Sequence, residues 1–220
     1  MDLQKKIGFL ARFVCESDAI EGITDDPELV ALQLEKHSAC GHVGALLLLE
    51  KYALQKAPLT NKRVRRVQSL IVTEQPEKGA PQIAEKYRGN WRDCNVWIVE
   101  RKGGEVVEET KKVSPERVPS LMSTLIERIA QWQTVCAGFS AAQNIIAIAG
   151  FHYDYEQIHP FVDGNGRSGR ALVYYLYRFA GLVPFVFTAQ DRHETYYPCF
   201  RDRSPETMCK YFLERTALAT

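Results

Sequence analysis

The sequence lacks the patterns that mark secreted and membrane-spanning proteins. Its six cysteines are widely spaced and form no C-x-x-C pair, so a disulfide framework is not expected and a reducing cytosol fits best. No apolar run approaches the ~20 residues that cross a bilayer. The apolar stretch that follows Lys5 and Lys6 is interrupted by Arg12 and precedes no small-residue cleavage site, so a signal peptide is not expected. We predict a soluble, cytoplasmic protein.

An excess of charge of one sign is also missing. The chain has 28 Lys and Arg against 27 Asp and Glu, a net charge of +1, which gives no bulk electrostatic reason for a nucleic-acid or membrane partner. A basic group without interleaved aromatic residues is interpreted as a solvated helix face; it comprises Lys62, Arg63, Arg65 and Arg66. A metal site is not expected at His37, Cys40 and His42, because only the first two share a helix face. Any anion site must therefore be local.

The apolar residues that are present recur mainly at helical spacing. Helices are predicted to end near Glu21 and to cover 29–36, 42–55, 61–72, 115–134, 141–155, 167–180, 191–200 and 205–218. Val, Ile and Trp are concentrated over 95–100 and 105–109, and Gly103-Gly104 between them is a hairpin signal. The 220 residues suffice for one domain, which we predict to be mostly α-helical with one β-hairpin.

The segment IHPFVDGNGRSGR, residues 158–170, has the composition of a phosphate site. Gly164 and Gly166 permit backbone conformations in which successive N–H groups point at one anion, and the following helix adds its positive end. Arg167 and Arg170 are expected in the first turn of that helix, where the dipole disfavours cations unless an anion binds from outside. The pattern predicts a bound polyphosphate.

The same segment also carries an acid and a base. Asp163 is a hard oxygen ligand at the edge of the glycine turn, and Mg²⁺ is usually held by one carboxylate together with substrate phosphates and water. His159 lies close enough in sequence to take a proton from an attacking hydroxyl. The chemistry is therefore expected in the loop that precedes the central helix.

This segment resembles the Fic motif, HPFx[D/E]GN[G/K]RxxR, at every fixed position. Nine specified residues at ~5% usage each would match by chance on the order of 10⁻¹¹ times per starting position. The helical sequences on both sides are also similar to those of Fic proteins, roughly from Pro58 to the C-terminus. The resemblance implies a Fic-type helical domain over residues 25–220, with an active-site loop at 159–170 and a flap hairpin at about 92–110.

By this resemblance the protein would transfer AMP from ATP to a Tyr, Ser or Thr hydroxyl of a target protein and release pyrophosphate. His159 would be the catalytic base, and Asp163 would hold Mg²⁺ on the α- and β-phosphates. The remaining phosphate contacts would come from Gly164, Asn165, Gly166, Arg167 and Arg170. ATP and a target protein are the implied partners, with self-modification and a homodimer as further expectations.

Two other regions resemble parts of Fic proteins. The stretch 92–98 is similar to the flap strand that docks the target by strand addition, and its central residues are Asn95, Val96, Trp97 and Ile98. Tyr196 and Tyr197 resemble the paired tyrosines that contact the nucleoside, although core packing is an equally good interpretation. Ser204 is the nearest candidate for the polar residue expected after them.

The N-terminal helix, assigned to residues 1–24, resembles an inhibitory helix. Ser17, Glu21 and Gly22 match the pattern [S/T]-x-x-x-E-[G/N] of Fic proteins that restrain themselves. The resemblance implies that Glu21 pairs with Arg170 and occupies the place of the γ-phosphate. A solvated Glu at a helix end is the simpler alternative.

Other functions remain open at this stage. The same site could remove AMP from a modified target, with Glu21 positioning a water, or could transfer another phosphate-containing group. A non-catalytic nucleotide-binding module belongs to a different class, and the intact His159 and Asp163 argue against it.

Overall fold

The computed structural model describes residues 3–75, 79–102, 105–201 and 204–219. Within these ranges the chain forms eight α-helices and one antiparallel hairpin. The helices are α1 (Leu3–Ile20), α2 (Pro27–Glu35), α3 (Gly41–Leu54), α4 (Asn61–Thr73), α5 (Val118–Val135), α6 (Ala141–Ile158), α7 (Asn165–Phe179) and α8 (Glu206–Ala219), and the strands are β1 (Trp97–Lys102) and β2 (Glu105–Lys111). The predicted mostly α-helical fold with one hairpin is confirmed.

Helix α7 lies at the centre of the fold and packs against α1, α3, α4 and α6. It is apolar on nearly every side after its first turn, so no face needs solvent; Tyr175 and Tyr177 are fully buried, and Leu176 is nearly so. The tyrosine hydroxyls still find partners, since Tyr177 bonds Thr216 and Tyr175 bonds the carbonyl of Ala57. The helix that follows the active-site loop is therefore held from several sides.

Helix α1 is anchored along its length by contacts with the core. Phe13 packs against the ring of Tyr174 on α7, with ring centroids 5.6 Å apart. Near the start of α1, Lys6 forms a 2.8 Å ion pair with the buried Glu50 of α3, which also accepts the hydroxyl of Tyr174. These contacts direct the other end of α1, which carries Glu21, toward the start of α7.

Most predicted helix boundaries differ from the structure by a few residues, and one predicted helix is absent. Helix α6 begins with a Ser140–Gln143 capping box. It runs to Ile158 instead of Tyr155, because the left-handed residue that ends it is His159. The segment 191–200 is not an α-helix. It forms one π-helical turn over Arg192–Tyr196 followed by a 3₁₀ turn over Tyr197–Phe200. Proline at 198 removes an N–H and restricts the turn before it, which ends the regular pattern.

The hairpin is shorter at its start than the sequence pattern predicts. Strand β1 begins at Trp97, so Asn95 and Val96 precede it, and β2 extends to Lys111. Trp97 pairs with Lys111, and the Val96 carbonyl accepts the Lys112 N–H at 3.1 Å. The predicted Gly103-Gly104 turn lies outside the described residues. No helix among the described residues is long and apolar enough to span a membrane.

Candidate active site

The active-site loop, residues 159–170, is fixed at its start by the end of α6. His159 adopts the left-handed conformation (φ 51°), which turns the chain out of the helix. The side chain of Asn165 then brackets Phe161: its Oδ1 accepts the Phe161 N–H at 2.8 Å and its Nδ2 donates to the Phe161 carbonyl at 2.9 Å. The Asn165 side chain therefore shapes the loop, and its backbone N–H is free for a ligand, while its predicted contact with phosphate stays a prediction.

The irregular part of the loop ends at Gly164, which forms the N-cap of α7, so residues 165–170 belong to that helix. Gly164 has φ 78°, and a Cβ there would lie 2.7 Å from a methyl group of Val72, so both the backbone and the packing require glycine. The N–H groups that follow, on Asn165, Gly166 and Arg167, belong to the first turn and have no acceptor within the helix. The positive end of α7 is thus available for an anion, as the sequence predicts.

Two glutamines, which sequence reasoning missed, hold Asp163. Gln75 donates to Asp163 Oδ2 at 2.8 Å and accepts from Arg167 Nη2 at 2.8 Å. Gln68, seven residues earlier on α4, donates to the Asp163 carbonyl at 3.0 Å. Both glutamines are buried. A signal was present in the sequence, since Gln68 lies on the apolar face of α4 beside Val64 and Ile71, where an unpaired amide would be costly.

Asp163 itself suits a hard cation. Its side chain is 42% exposed, and its Oδ1 also accepts the Gly164 N–H at 2.6 Å, so the carboxylate is oriented while one side stays open. No group of three or more His, Cys, Asp or Glu side chains with metal-binding geometry occurs in the described part of the chain. The donor set therefore fits an ion such as Mg²⁺ that keeps water and substrate oxygens as its other ligands.

Arg170 is bound by the end of α1. Its Nη2 donates to Glu21 Oε1 at 2.8 Å and to the Ser17 carbonyl at 2.7 Å, and its Nε donates to Ser17 Oγ at 2.9 Å. Burial alone would lower the pKa of Arg170, but the charge and hydrogen bond of Glu21, together with the nearby Tyr196 and Glu156, outweigh burial and raise that pKa. Arg170 is almost fully buried. It lies in the second turn of α7 and not in the predicted first turn, because the helix begins at Asn165, two residues before the predicted start.

The geometry around Glu21 depends on two glycines. A Cβ on Gly166 would lie 2.2 Å from Glu21 Oε1, so the carboxylate occupies the space that a side chain would take. Gly22 adopts φ 77° directly after α1, which lets the chain turn away behind Glu21. The expected contact between Glu21 and Arg170 is present, while its inhibitory role stays a prediction.

Arg92 connects the loop to the flap hairpin. Its Nε donates to the His159 carbonyl at 2.8 Å and its Nη1 to the Cys94 carbonyl at 2.9 Å, while its Nη2 donates to the carbonyls of Val113 and Ile158. The sequence places Arg92 in an exposed strand, but it is buried before β1, and burial lowers its pKa. One guanidinium therefore joins both ends of the hairpin to the end of α6.

The two predicted nucleoside tyrosines have different surroundings. Tyr196 is buried, and its hydroxyl lies 2.8 Å from His152 Nε2, so the core-packing interpretation describes it. Tyr197 is half-buried and donates to the Ile20 carbonyl at the end of α1 at 3.2 Å. Ser204 accepts the Glu206 N–H at 3.3 Å near the start of α8. Contact of either tyrosine with a nucleoside stays a prediction.

The flap presents an apolar edge. Trp97, Ile98 and Val99 are each 41–50% exposed. Because Val96 accepts the Lys112 N–H, Trp97 and Lys111 form a non-hydrogen-bonded pair, and the N–H and C=O of Trp97 point away from β2. The described part of the chain places no third strand beside β1. An extended segment could pair with this edge.

Comparisons with known proteins agree with this arrangement. "Protein adenylyltransferase Fic" of Nematostella vectensis is 47% identical over 45 residues, and the protein of that name from Culex quinquefasciatus is 36% identical over 78 residues. These segments are 20% and 36% of this chain but only 10% and 15% of those proteins. The chain thus spans a small part of the curated relatives it matches.

A solved structure shares the fold. The crystal structure of a Fic-domain-containing signalling protein from Bacteroides thetaiotaomicron superposes with a TM-score of 0.73 at 22% identity, covering 97% of this chain and 84% of that one. Residues 58–177, more than half of the chain, match the Fic/DOC family model, a region that starts where the sequence resemblance starts. The protein therefore belongs to the Fic/DOC family.

Proposed function

We propose that this protein is a magnesium-dependent adenylyltransferase that transfers AMP from ATP to a Tyr, Ser or Thr hydroxyl of a target protein. The observation that carries the proposal is that the segment 159–164, with His159 and Asp163, leads from the end of α6 directly into the buried helix α7, whose first turn offers the amides of Gly166 and Arg167. The names of the curated relatives support the same activity at the level of the family.

Each residue then has a distinct task in the reaction. His159 accepts the proton of the target hydroxyl as that oxygen attacks the α-phosphorus, and pyrophosphate leaves. The amides at the start of α7 and the guanidinium of Arg167 stabilise the negative charge on the phosphates. Gln75 keeps that guanidinium and the Asp163 carboxylate in fixed orientations. The protein contributes positioning and electrostatic stabilisation more than covalent chemistry.

Asp163 is the residue that would hold the metal. Bound Mg²⁺ would neutralise phosphate charge, which helps the leaving group depart. The Asp163 carboxylate is 42% exposed, while Gln75 and the Gly164 N–H hold its two oxygens. A carboxylate that cannot rotate freely loses little entropy when the metal arrives.

The target would add a strand to the flap. The outward N–H and C=O of Trp97 offer main-chain hydrogen bonds, and the exposed Trp97, Ile98 and Val99 offer side-chain contacts. Main-chain pairing gives affinity without strict sequence demands, whereas the side-chain contacts would select among targets.

Glu21 would restrain this activity. Its carboxylate forms an ion pair with the Arg170 guanidinium and so places a negative charge where the γ-phosphate would bind. Ser17 contributes two more hydrogen bonds to the same guanidinium, so the end of α1 must move for Arg170 to meet a phosphate. ATP would then bind in the restrained state with its phosphates out of line.

The direct test is incubation of the purified protein with ATP labelled in its α-phosphate, with Mg²⁺ and candidate acceptors. Covalent label that elutes with protein, and an added mass equal to AMP on a hydroxyl residue, would establish the activity. Label confined to a non-covalent complex would identify a nucleotide-binding module instead. Mass spectrometry of self-modified protein would detect transfer before any target is known.

Replacing Glu21 by Gly tests the restraint. An Arg–carboxylate contact of this kind contributes ~1.5–3 kcal/mol, so its loss should raise the initial rate of AMP transfer roughly ten- to a hundredfold. The double variant Glu21→Gly with Arg170→Ala should be inactive again, because the released guanidinium is then missing. A rate that Glu21→Gly leaves unchanged, in folded protein, would refute the inhibitory role.

Removal of AMP from a modified target is the second candidate function. The Glu21 side chain is 36% exposed beside Arg170, so it could also hold a water for attack on a phosphodiester. Wild type and Glu21→Gly, each given the same pre-modified target, separate the two. Release of AMP only by the wild type would favour removal, whereas label gained only by the variant would favour transfer.

A further inference from the structure

Glu156 is a buried carboxylate one turn before the active-site loop that the proposed reaction does not yet use. It lies on α6, three residues before His159, and is 7% exposed. Its Oε2 is 3.6 Å from His159 Nδ1. In the described residues, neither His159 Nδ1 nor Glu156 Oε1 has a hydrogen-bond partner, although both atoms are buried. Unpaired buried polar atoms are rare enough to need an explanation.

The space for this carboxylate comes from Gly169. A Cβ at position 169 would lie 2.3 Å from Glu156 Oε1, so any larger residue there would displace the carboxylate. Gly169 has no positive φ and sits inside α7, where glycine costs about 1 kcal/mol relative to alanine. Close approach of Glu156 is thus the structural reason for this glycine.

The charge of Glu156 is maintained by its neighbours. Burial would raise the pKa of Glu156, but the nearby imidazole of His159 and the charges of His152 and Arg170 together outweigh burial, and the pKa falls below its ordinary value. Lys112, which follows the flap hairpin, adds a further positive charge close enough to interact with Glu156. His152 contributes little near neutrality, because burial lowers its pKa to about 4.

The orientation of His159 follows from this geometry. Its Nδ1 is buried toward Glu156, so Nε2 is the ring nitrogen left to face a substrate. A proton on Nδ1 would point at the carboxylate and leave Nε2 as an acceptor, which is the tautomer that a general base needs. Such contacts are often long without substrate and shorten when it binds.

We propose that Glu156 is a positioning residue for His159: it fixes the Nδ1–H tautomer and stabilises the imidazolium that forms when Nε2 accepts the proton of the target hydroxyl. The proton balance is complete within this pair. The hydroxyl proton moves to Nε2, the Nδ1 proton stays on the ring, and Glu156 remains ionised throughout. This inference rests on the proposed function only through the identity of the proton donor.

The test compares Glu156→Gln and Glu156→Leu with the wild type. Nitrogen-15 NMR of His159 in the nucleotide-free protein should show Nδ1–H in the wild type and in Glu156→Gln, whose amide oxygen still accepts. Glu156→Leu should show substantial Nε2–H. Kinetics are measured in whichever background, wild type or Glu21→Gly, transfers AMP faster. There, kcat should fall about tenfold for Glu156→Gln and about 10²-fold for Glu156→Leu, while KM for ATP should stay within a few fold.

A second variant guards against misfolding of the first. Gly169→Ala keeps the carboxylate but pushes it away, so it should move the tautomer equilibrium in the same direction as Glu156→Leu. An Nε2–H ring in the wild type, or a tautomer and kcat that Glu156→Leu does not change, would overturn the inference. Tautomer shifts without any transfer in the wild type would leave Glu156 in its positioning role and overturn the proposed transferase reaction instead.

Discussion

The active-site loop and the flap hairpin, which Arg92 joins, are held in opposite ways. In the loop, Asp163, Asn165 and Arg167 each have hydrogen-bond partners that restrict their side chains. In the flap, Trp97 and Ile98 are exposed and their strand has only one neighbour within the described residues. The contacts of the loop fix its side chains before a ligand binds, as charge stabilisation requires. The flap edge is left open, as suits a strand that becomes ordered when its partner docks.

Arg92 is the point where the two regions meet. It bonds carbonyls at both ends of the hairpin and two more at the end of α6. The flap is therefore fixed at its base relative to His159, while the outer edge of β1 at Trp97 has no neighbouring strand among the described residues. A strand docked on the flap would reach the catalytic base at a defined distance, which is the geometric requirement for transfer to a protein acceptor.

The largest expected effect comes from the loop. His159→Ala should lower AMP transfer by about 10²–10⁴-fold for every acceptor, including the protein itself, because it removes the proton acceptor. Affinity for ATP should stay within a few fold, since His159 is not a phosphate ligand in the proposal. Initial rates of label incorporation and calorimetric ATP titrations measure the two quantities. Transfer near the wild-type rate would show that another group is the base.

Breaking the link between the regions should have the next largest effect. Arg92→Met leaves four buried carbonyls without their donor and should lower transfer on the order of 10²-fold through misplacement of His159 and the flap. Arg92→Lys should restore little, because an ammonium cannot span carbonyls on both sides as the planar guanidinium does. Circular dichroism must first show folded protein. Faster amide exchange confined to the hairpin and loop would locate the effect, and unchanged exchange and rate would contradict it.

The sequence predicts the regular helices because their apolar periodicity is strong and their ends carry caps and glycines. The sequence also predicts the active-site loop, because the residues that define it are adjacent in the chain and can be recognised as one motif. It fails over 191–200, where one π turn and one 3₁₀ turn replace the expected α-helix. Short turns of this kind have too few residues for a period to distinguish them.

The site residues that the sequence analysis missed were missed for a different reason. Gln68, Gln75, Arg92 and Glu156 are buried polar side chains that act through partners far along the chain or one turn away. Each occurs in a segment whose pattern is ordinary, so their roles depend on tertiary contacts that no local pattern encodes. The available hint was a polar residue on an apolar helix face, as at Gln68 and Glu156.

The flap edge offers a sharper test of recognition. Trp97→Pro removes an N–H that points away from β2, so the β1–β2 ladder should survive while an added strand loses one bond. Labelling of a separate target should fall about ten- to thirtyfold, and ATP affinity should not change. Trp97→Val keeps the N–H and removes the ring, which separates main-chain from side-chain recognition. Equal labelling by Trp97→Pro and the wild type would place docking elsewhere.

The smallest expected effect concerns Gln75, and it tests whether the loop is preorganised as strictly as its contacts suggest. Gln75→Leu is close in volume but removes the hydrogen bonds to Asp163 Oδ2 and Arg167, so the carboxylate can rotate before Mg²⁺ binds. We expect magnesium-linked ATP affinity to fall roughly tenfold, at the low end for loss of a side chain that orients a metal ligand.

Gln68→Leu is the matched control for Gln75→Leu. Gln68 is also buried, seven residues earlier, and it bonds the main-chain carbonyl of Asp163 and the N–H of Gly89 but not the Asp163 carboxylate. Its loss should lower the free energy of unfolding and weaken ATP binding equally with and without Mg²⁺, because the carboxylate itself keeps its partner. Calorimetric ATP titrations at several Mg²⁺ concentrations distinguish the two variants by the steepness of the metal dependence. If both variants retain the wild-type steepness, the orientation of Asp163 does not depend on Gln75, and the loop is less rigidly prepared for the metal than its hydrogen bonds imply.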